Sequence, residues 1–125
     1  MNNKRPVFLN LLKIHLPITG VTSILHRLSG IILFLMVPFS LYLLQLSIES
    51  VAAFKQVLVY LSLPAVKIVL ILGLWSFTHH LFAGFRFLLI DQNIGVSLAA
   101  ARKSAWIVAY GAVAVTIGIC GVWLL

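Results

Sequence analysis

Three long stretches of the chain carry no charged residue: Leu28 to Ile48, Ile68 to Phe85 and Ser104 to Leu125. Each comes close to the ~20 residues that an α-helix needs to cross ~30 Å of hydrocarbon, so the pattern predicts three membrane-spanning helices. The middle run is the shortest. It is expected to extend through Lys67 and Arg86, whose long stems let their charged heads snorkel to the interface. The expected spans are 23–48, 64–90 and 104–125, within a single membrane-anchor domain that takes in residues 1–125.

Residues 1–22 differ in kind. Arg5-Pro6 opens a mixed segment to which Phe8, Leu9, Leu11, Leu12, Ile14 and Leu16 give apolar surface, and Pro17 and Gly20 are expected to break it before the first span. The segment reads as interfacial, lying along the cytoplasmic side of the membrane. No apolar core followed by a small-residue cleavage site precedes the first long run, so a cleavable signal peptide is not expected.

Composition agrees with the pattern. With 62% hydrophobic residues and a mean hydropathy of +1.16 the chain lies far outside the soluble globular range, and the fold class is that of an all-α membrane protein. Three spans are too few to enclose a large cofactor comfortably, which predicts partner helices and a place in a heteromeric helix bundle.

The formal net charge of +7 would suggest nucleic acid in a soluble protein. Here the Lys and Arg residues flank apolar runs instead, which is the pattern that sets membrane orientation, so no nucleic-acid partner is expected. Lys4, Arg5, Lys13 and Arg27 precede the first span, and Arg86, Arg102 and Lys103 surround the second connection, whereas the first has only Lys55 and Lys67 with Glu49 nearby. The positive-inside rule then places the N-terminus and the second connection in the cytoplasm, and the first connection and the C-terminus outside. Cys120 is the single cysteine and reads as a small apolar residue in a helix.

Polar residues at the edges of the spans carry the candidate chemistry. On the first helix Ser23 and Arg27 are four apart and share a face, continued by Gly30 and Phe34, while His26 points about 100° away from Arg27. The plain account makes Arg27 an interfacial anchor and Ser23 an N-terminal cap. The functional account makes both of them ligand contacts.

On the second helix His79 and His80 lie well inside the span, and an intramembrane ionisable residue is a functional candidate by default. His80 lies roughly 16 Å along the helix from Asp91 at ~1.5 Å per residue. It shares its face with Gly73, Ser76, Gly84 and Phe87, so a flat cofactor is expected to approach the backbone closely there. His79 shares a bulkier face with Trp75, Phe82 and Arg86, suited to packing or to an interhelical hydrogen bond. For His80 the plain alternative is a neutral imidazole bonded across helices, with Gly84 as a packing notch. On the third helix Gly111, Ala114, Gly118 and Gly121 form a small-residue stripe between Trp106 and Trp123, and its expected job is packing.

These residues bring a family into view. Arg5-Pro6 near the start, Ser23-Ile24-Leu25-His26-Arg27-Leu28-Ser29-Gly30, and His80-Leu81-Phe82-Ala83-Gly84-Phe85-Arg86 followed by Asp91 together resemble the cytochrome b membrane-anchor subunits of succinate dehydrogenase, or complex II. The likeness covers essentially the whole chain, and the two motifs joined at this separation are far more specific than either alone.

The resemblance implies a role for each matching residue. His80 matches the axial ligand of haem b, whose second axial histidine comes from the other anchor subunit. Ser23 and Arg27 match residues that line the ubiquinone pocket, completed by the second membrane-anchor subunit and the iron-sulfur subunit, and His26 with Arg27 matches groups near the haem propionates. A flavoprotein subunit completes the implied complex, which sits in the bacterial inner membrane with its N-terminus cytoplasmic and its C-terminus periplasmic. Arg86 and Asp91 match a pair at the cytoplasmic end of the second helix. Where many relatives carry a histidine directly after that arginine, Phe87 stands here, so the resemblance carries no haem-side or proton role to this position. It assigns nothing to His79 or His15.

Two other classes of function compete with this reading. A haem-free structural anchor would need only the spans and the basic surface, and a small transporter subunit would use His79 and His80 as a proton path. The transporter reading lacks a broken-helix repeat and an acidic partner within the spans.

Overall fold

A computed structural model describes residues 15–124, and side chains within residues 15–122. Four helices follow one another: α1 (Ile18–Glu49), α2 (Val51–Ser62), α3 (Pro64–Asp91) and α4 (Leu98–Leu124). Three of them, α1, α3 and α4, are long and apolar enough to cross a membrane, and the chain is an integral membrane protein of the all-α class. The interfacial segment read from the sequence falls largely on residues 1–14, outside the described residues.

Local chemistry explains where each helix starts and stops. Pro17, extended at φ −63° and ψ 152°, precedes α1, and its carbonyl accepts from the amides of Gly20 and Val21. Gly20 therefore belongs to the first turn of α1 and does not break the chain ahead of it. Ser23 lies in the second turn, which rules out the N-cap account of that residue. The helix continues through Pro38, whose missing N–H is tolerated in an apolar span.

Ser50 ends α1 in an extended conformation and opens α2, its hydroxyl accepting from the amide of Ala53 at 3.1 Å. Leu63 then breaks the chain, because a residue preceding proline is pushed out of the helical region, and Pro64 begins α3 where its lost donor costs nothing. The short α2 was not anticipated from the charge pattern.

At the far end of α3 the amide of Asn93 bonds Ile90 O at 2.8 Å and that of Ile94 bonds Leu89 O at 2.9 Å, with Asn93 left-handed at φ 60°. This pairing satisfies the last carbonyls of α3 as a Schellman motif. Ser97 then caps α4 through the amide of Ala100.

The bundle centres on α3, which packs against both α1 and α4. Its contacts are made by small and polar residues: Ala83, Ala105, Ala112, Ser29 and Ser76 are fully buried, while Phe34 is 75% exposed and Ile48 and Val122 face outward. Such a distribution suits lipid, where large apolar side chains gain nothing from hiding and close helix approach depends on small residues. Met36 of α1 lies on Gly73, and the Phe82 ring lies against Gly111 of α4. The hydroxyls of Thr78 and Thr116 meet at 3.1 Å between α3 and α4.

Arg86 departs from expectation. Its guanidinium does not snorkel: the residue is only 6% exposed, its Nε donates to Ser104 Oγ at 2.9 Å and its Nη2 to Ala101 O at 3.1 Å. Ala101 and Ser104 lie in the first two turns of α4 and offer two oxygens to the guanidinium, so the charge crosses to the neighbouring helix. Asp91 is exposed and does not pair with Arg86.

Candidate functional site

The start of α1 lies against the second half of α3, and this brings His26 and His80 together. Their rings stack with centroids 4.0 Å apart and planes 12° from parallel. Phe87 meets the His26 ring edge-on at 5.2 Å and sits beneath the Arg86 guanidinium at 5.4 Å, so at this position the chain uses an aromatic ring for packing. Both histidines are half-buried.

The face of α3 read as open backbone is not open. Met36 fills the space at Gly73, and at Gly84 a Cβ would lie 3.6 Å from His26 Nε2. Glycine removes the side chain on α3, and α1 supplies a residue of its own to occupy the gap. What remains accessible at His80 is the imidazole itself, held from one side. Its Nδ1 lies 3.1 Å from the carbonyl oxygen of His26 and 3.2 Å from Ser29 Oγ, and its Nε2 has no hydrogen bond among the described residues. A nitrogen with a free lone pair on a ring pinned at its other nitrogen is a ready metal donor.

Ser23 and Arg27 share a face of α1, as their spacing predicts, with Ser23 half-buried and Arg27 exposed. Neither side chain has a hydrogen-bond or ionic partner among the described residues. Their face also carries the exposed Phe34 and so points partly away from α3 and α4. His15 is exposed ahead of α1, and Cys120 is half-buried on α4. Trp123 lies outside the described side chains.

His79 is enclosed within the chain at 1% exposure, tilted against Trp75 with ring centroids 5.4 Å apart. Among the described residues neither of its ring nitrogens has a hydrogen-bond partner, and Ser76 Oγ, one turn earlier, has none either. A buried polar atom left unpaired costs roughly 1–3 kcal/mol. His79→Phe, which keeps a flat ring and removes both nitrogens, is therefore expected to leave the thermal stability of the assembled complex unchanged or to raise it. A clear drop in the melting temperature would show that those nitrogens have a partner.

A family model described as succinate dehydrogenase/fumarate reductase transmembrane subunit matches residues 1–119. The chain belongs to this family of transmembrane subunits. It is similar to the succinate dehydrogenase cytochrome b556 subunit of Coxiella burnetii, with 37% identity over 125 residues and 99% of both chains covered. The proteins of the same name from Rickettsia prowazekii and Rickettsia felis are 33% and 32% identical over 106 residues, covering 85% of this chain and 82% of theirs.

Of the residues picked out along the sequence, the structure brings His26 of α1 and His80 of α3 together, while Ser23 and Arg27 lie on a neighbouring face of α1. Ser29 was missed. It is completely buried and bonded to His80 Nδ1, and the signal that would have found it is a serine inside an apolar helix, one turn beyond a histidine and beside a glycine.

Proposed function

We propose that this chain is a membrane anchor of succinate dehydrogenase that holds haem b together with a second membrane-anchor subunit and helps to bind ubiquinone. Electrons taken from succinate in a flavoprotein subunit would reach the quinone through an iron-sulfur subunit, at the cytoplasmic face of the bacterial inner membrane. The N-terminus would then be cytoplasmic and the C-terminus periplasmic, as the distribution of Lys and Arg favours. The observation that carries the reading is His80: an intramembrane imidazole whose Nδ1 is engaged by oxygens and whose Nε2 has no partner among the described residues, in a chain of this family.

The residues fit a haem. His80 would give the iron one nitrogen ligand, two such histidines on separate helices being a common means of holding the group, and the second would come from the partner anchor. When bound, the haem supplies reversible one-electron chemistry at iron. His26 and Arg27 would offset its propionate charges.

For the quinone, Ser23 donates a hydrogen bond to a carbonyl oxygen. Arg27 sits one turn further along the same face and opposes the negative charge that builds on the quinone during reduction, an effect that is strong where water is scarce. That neither side chain has a partner among the described residues supports this assignment. The exposure of their face supports a pocket whose other walls belong to different subunits.

A reduced-minus-oxidised spectrum of the purified complex tests the reading most directly. A low-spin b-type α band is expected, together with ubiquinone reduction driven by succinate. A complex that assembles and turns over succinate without such a band would leave this chain as a haem-free structural anchor.

A further inference from the structure

The contact around Ser29 decides which nitrogen of His80 carries a proton. Ser29 Oγ lies 2.8 Å from the carbonyl oxygen of His26 and 3.2 Å from His80 Nδ1, and His80 Nδ1 lies 3.1 Å from that same carbonyl oxygen. The carbonyl can only accept. The serine has one hydrogen, and the shorter contact directs it to the carbonyl, so Nδ1 faces two oxygens with no hydrogen to offer it. Were Nδ1 the unprotonated nitrogen, its lone pair would point at a carbonyl oxygen. Nδ1 therefore bears the hydrogen and shares it between Ser29 Oγ and His26 O, and the ring's lone pair resides on Nε2.

The same ring is confined on its other sides. A Cβ at Gly30 would lie 3.0 Å from His80 Cε1, so α1 approaches as closely as a missing side chain permits, and the His26 ring covers one face at 4.0 Å. All three restraints come from consecutive turns of α1, and only Ser29 bonds the ring with a side chain.

We propose that Ser29 is a positioning residue for the haem ligand: together with the His26 carbonyl it holds His80 in the Nδ1–H tautomer and at one ring angle, and its share in accepting the Nδ1 hydrogen strengthens Nε2 as a donor to iron. The proposal rests on the reading of His80 as the axial ligand. Outer hydrogen bonds of this kind raise the basicity of a ligating imidazole and orient it. A more basic ligand favours ferric iron, so losing one of the two acceptors shifts the midpoint potential upward.

The test uses the purified complete complex carrying Ser29→Ala, Ser29→Cys or Ser29→Thr, with His80→Ala as a control. Haem content, the redox titration of the b-type α band and the low-spin electron paramagnetic resonance signal are measured for each. Ser29→Cys nearly preserves volume but is a poor acceptor, which separates hydrogen bonding from packing. Ser29→Thr retains the hydroxyl and serves as the rescue.

Ser29→Ala and Ser29→Cys are expected to titrate at a higher potential with a displaced low-spin signal, and Ser29→Thr to return both toward the wild type. Loss of haem from an assembled Ser29→Ala complex, recovered in Ser29→Thr, supports the proposal equally. Wild-type potential, signal and haem content in both Ser29→Ala and Ser29→Cys would overturn it. If His80→Ala retains an unchanged low-spin spectrum, the ligand reading itself fails, and that outcome is visible whatever the Ser29 variants do.

Discussion

His80→Ala is expected to abolish the low-spin b-type absorption of the purified complex while its subunits remain assembled. Disrupting an outer hydrogen-bond partner of a metal ligand typically costs about 10- to 100-fold in affinity, and removing the ligand costs more, so haem should be lost or left high-spin. Assembly should survive because His80 is half-buried and its side-chain partners are the Ser29 hydroxyl and one carbonyl, both within reach of the α1 helix's own bonding: Ser29 already donates to His26 O. The alanine also leaves the His26 ring without the partner on which it stacks. An unchanged spectrum would mean that the iron is held elsewhere.

The second large effect concerns Arg27. Deleting one preorganised group that stabilises developing negative charge typically costs about 10²- to 10³-fold in turnover, and Arg27→Leu should slow succinate-driven ubiquinone reduction on about that scale. Reduction of a soluble dye by the peripheral subunits should continue at its normal rate, because Arg27 is exposed on α1 and bonds nothing else within the described chain. Arg27→Lys keeps the charge without the planar fork and should fall between the two. Normal ubiquinone turnover in an assembled Arg27→Leu complex would place the quinone away from this face of α1.

Both predictions use residues that were legible along the chain. His80 stands out because an ionisable side chain inside an uncharged run must have a reason to be there, and Arg27 because it shares a helical face with Ser23. The legibility ends where a contact crosses between helices. Ser29 and His80 are separated by 51 positions, and nothing in the periodicity of α1 says that its buried side will meet that imidazole. His26 shows the same limit: spacing sets its direction relative to Arg27, but only packing lays its ring on His80 and over Gly84. Phe87 likewise becomes intelligible only once its ring is seen between His26 and Arg86.

Arg86 marks a place where the one-dimensional reading was overruled. An arginine at the end of an apolar run has two ways to satisfy five donors: reaching out to water, or finding oxygens on a neighbour. The sequence near Arg86 favours the first, and Ser104 with the carbonyl of Ala101 provides the second. Those oxygens lie on α4, whose approach depends on alanines buried along the α3–α4 seam.

By itself the sequence determined that the chain has three runs long and apolar enough to cross a membrane, and it singled out the polar residues within and beside them. Hydrocarbon thickness sets the length of an uncharged run, and the cost of burying polar groups in it makes each exception visible. Tertiary structure alone decided which exceptions meet. In lipid, large apolar side chains carry no information about which face turns inward, so helix pairing follows from small residues, glycine gaps and hydrogen bonds that form only when two helices are already in contact. The tautomer of His80 is set by such a contact, a serine and a carbonyl on α1 acting on an imidazole of α3.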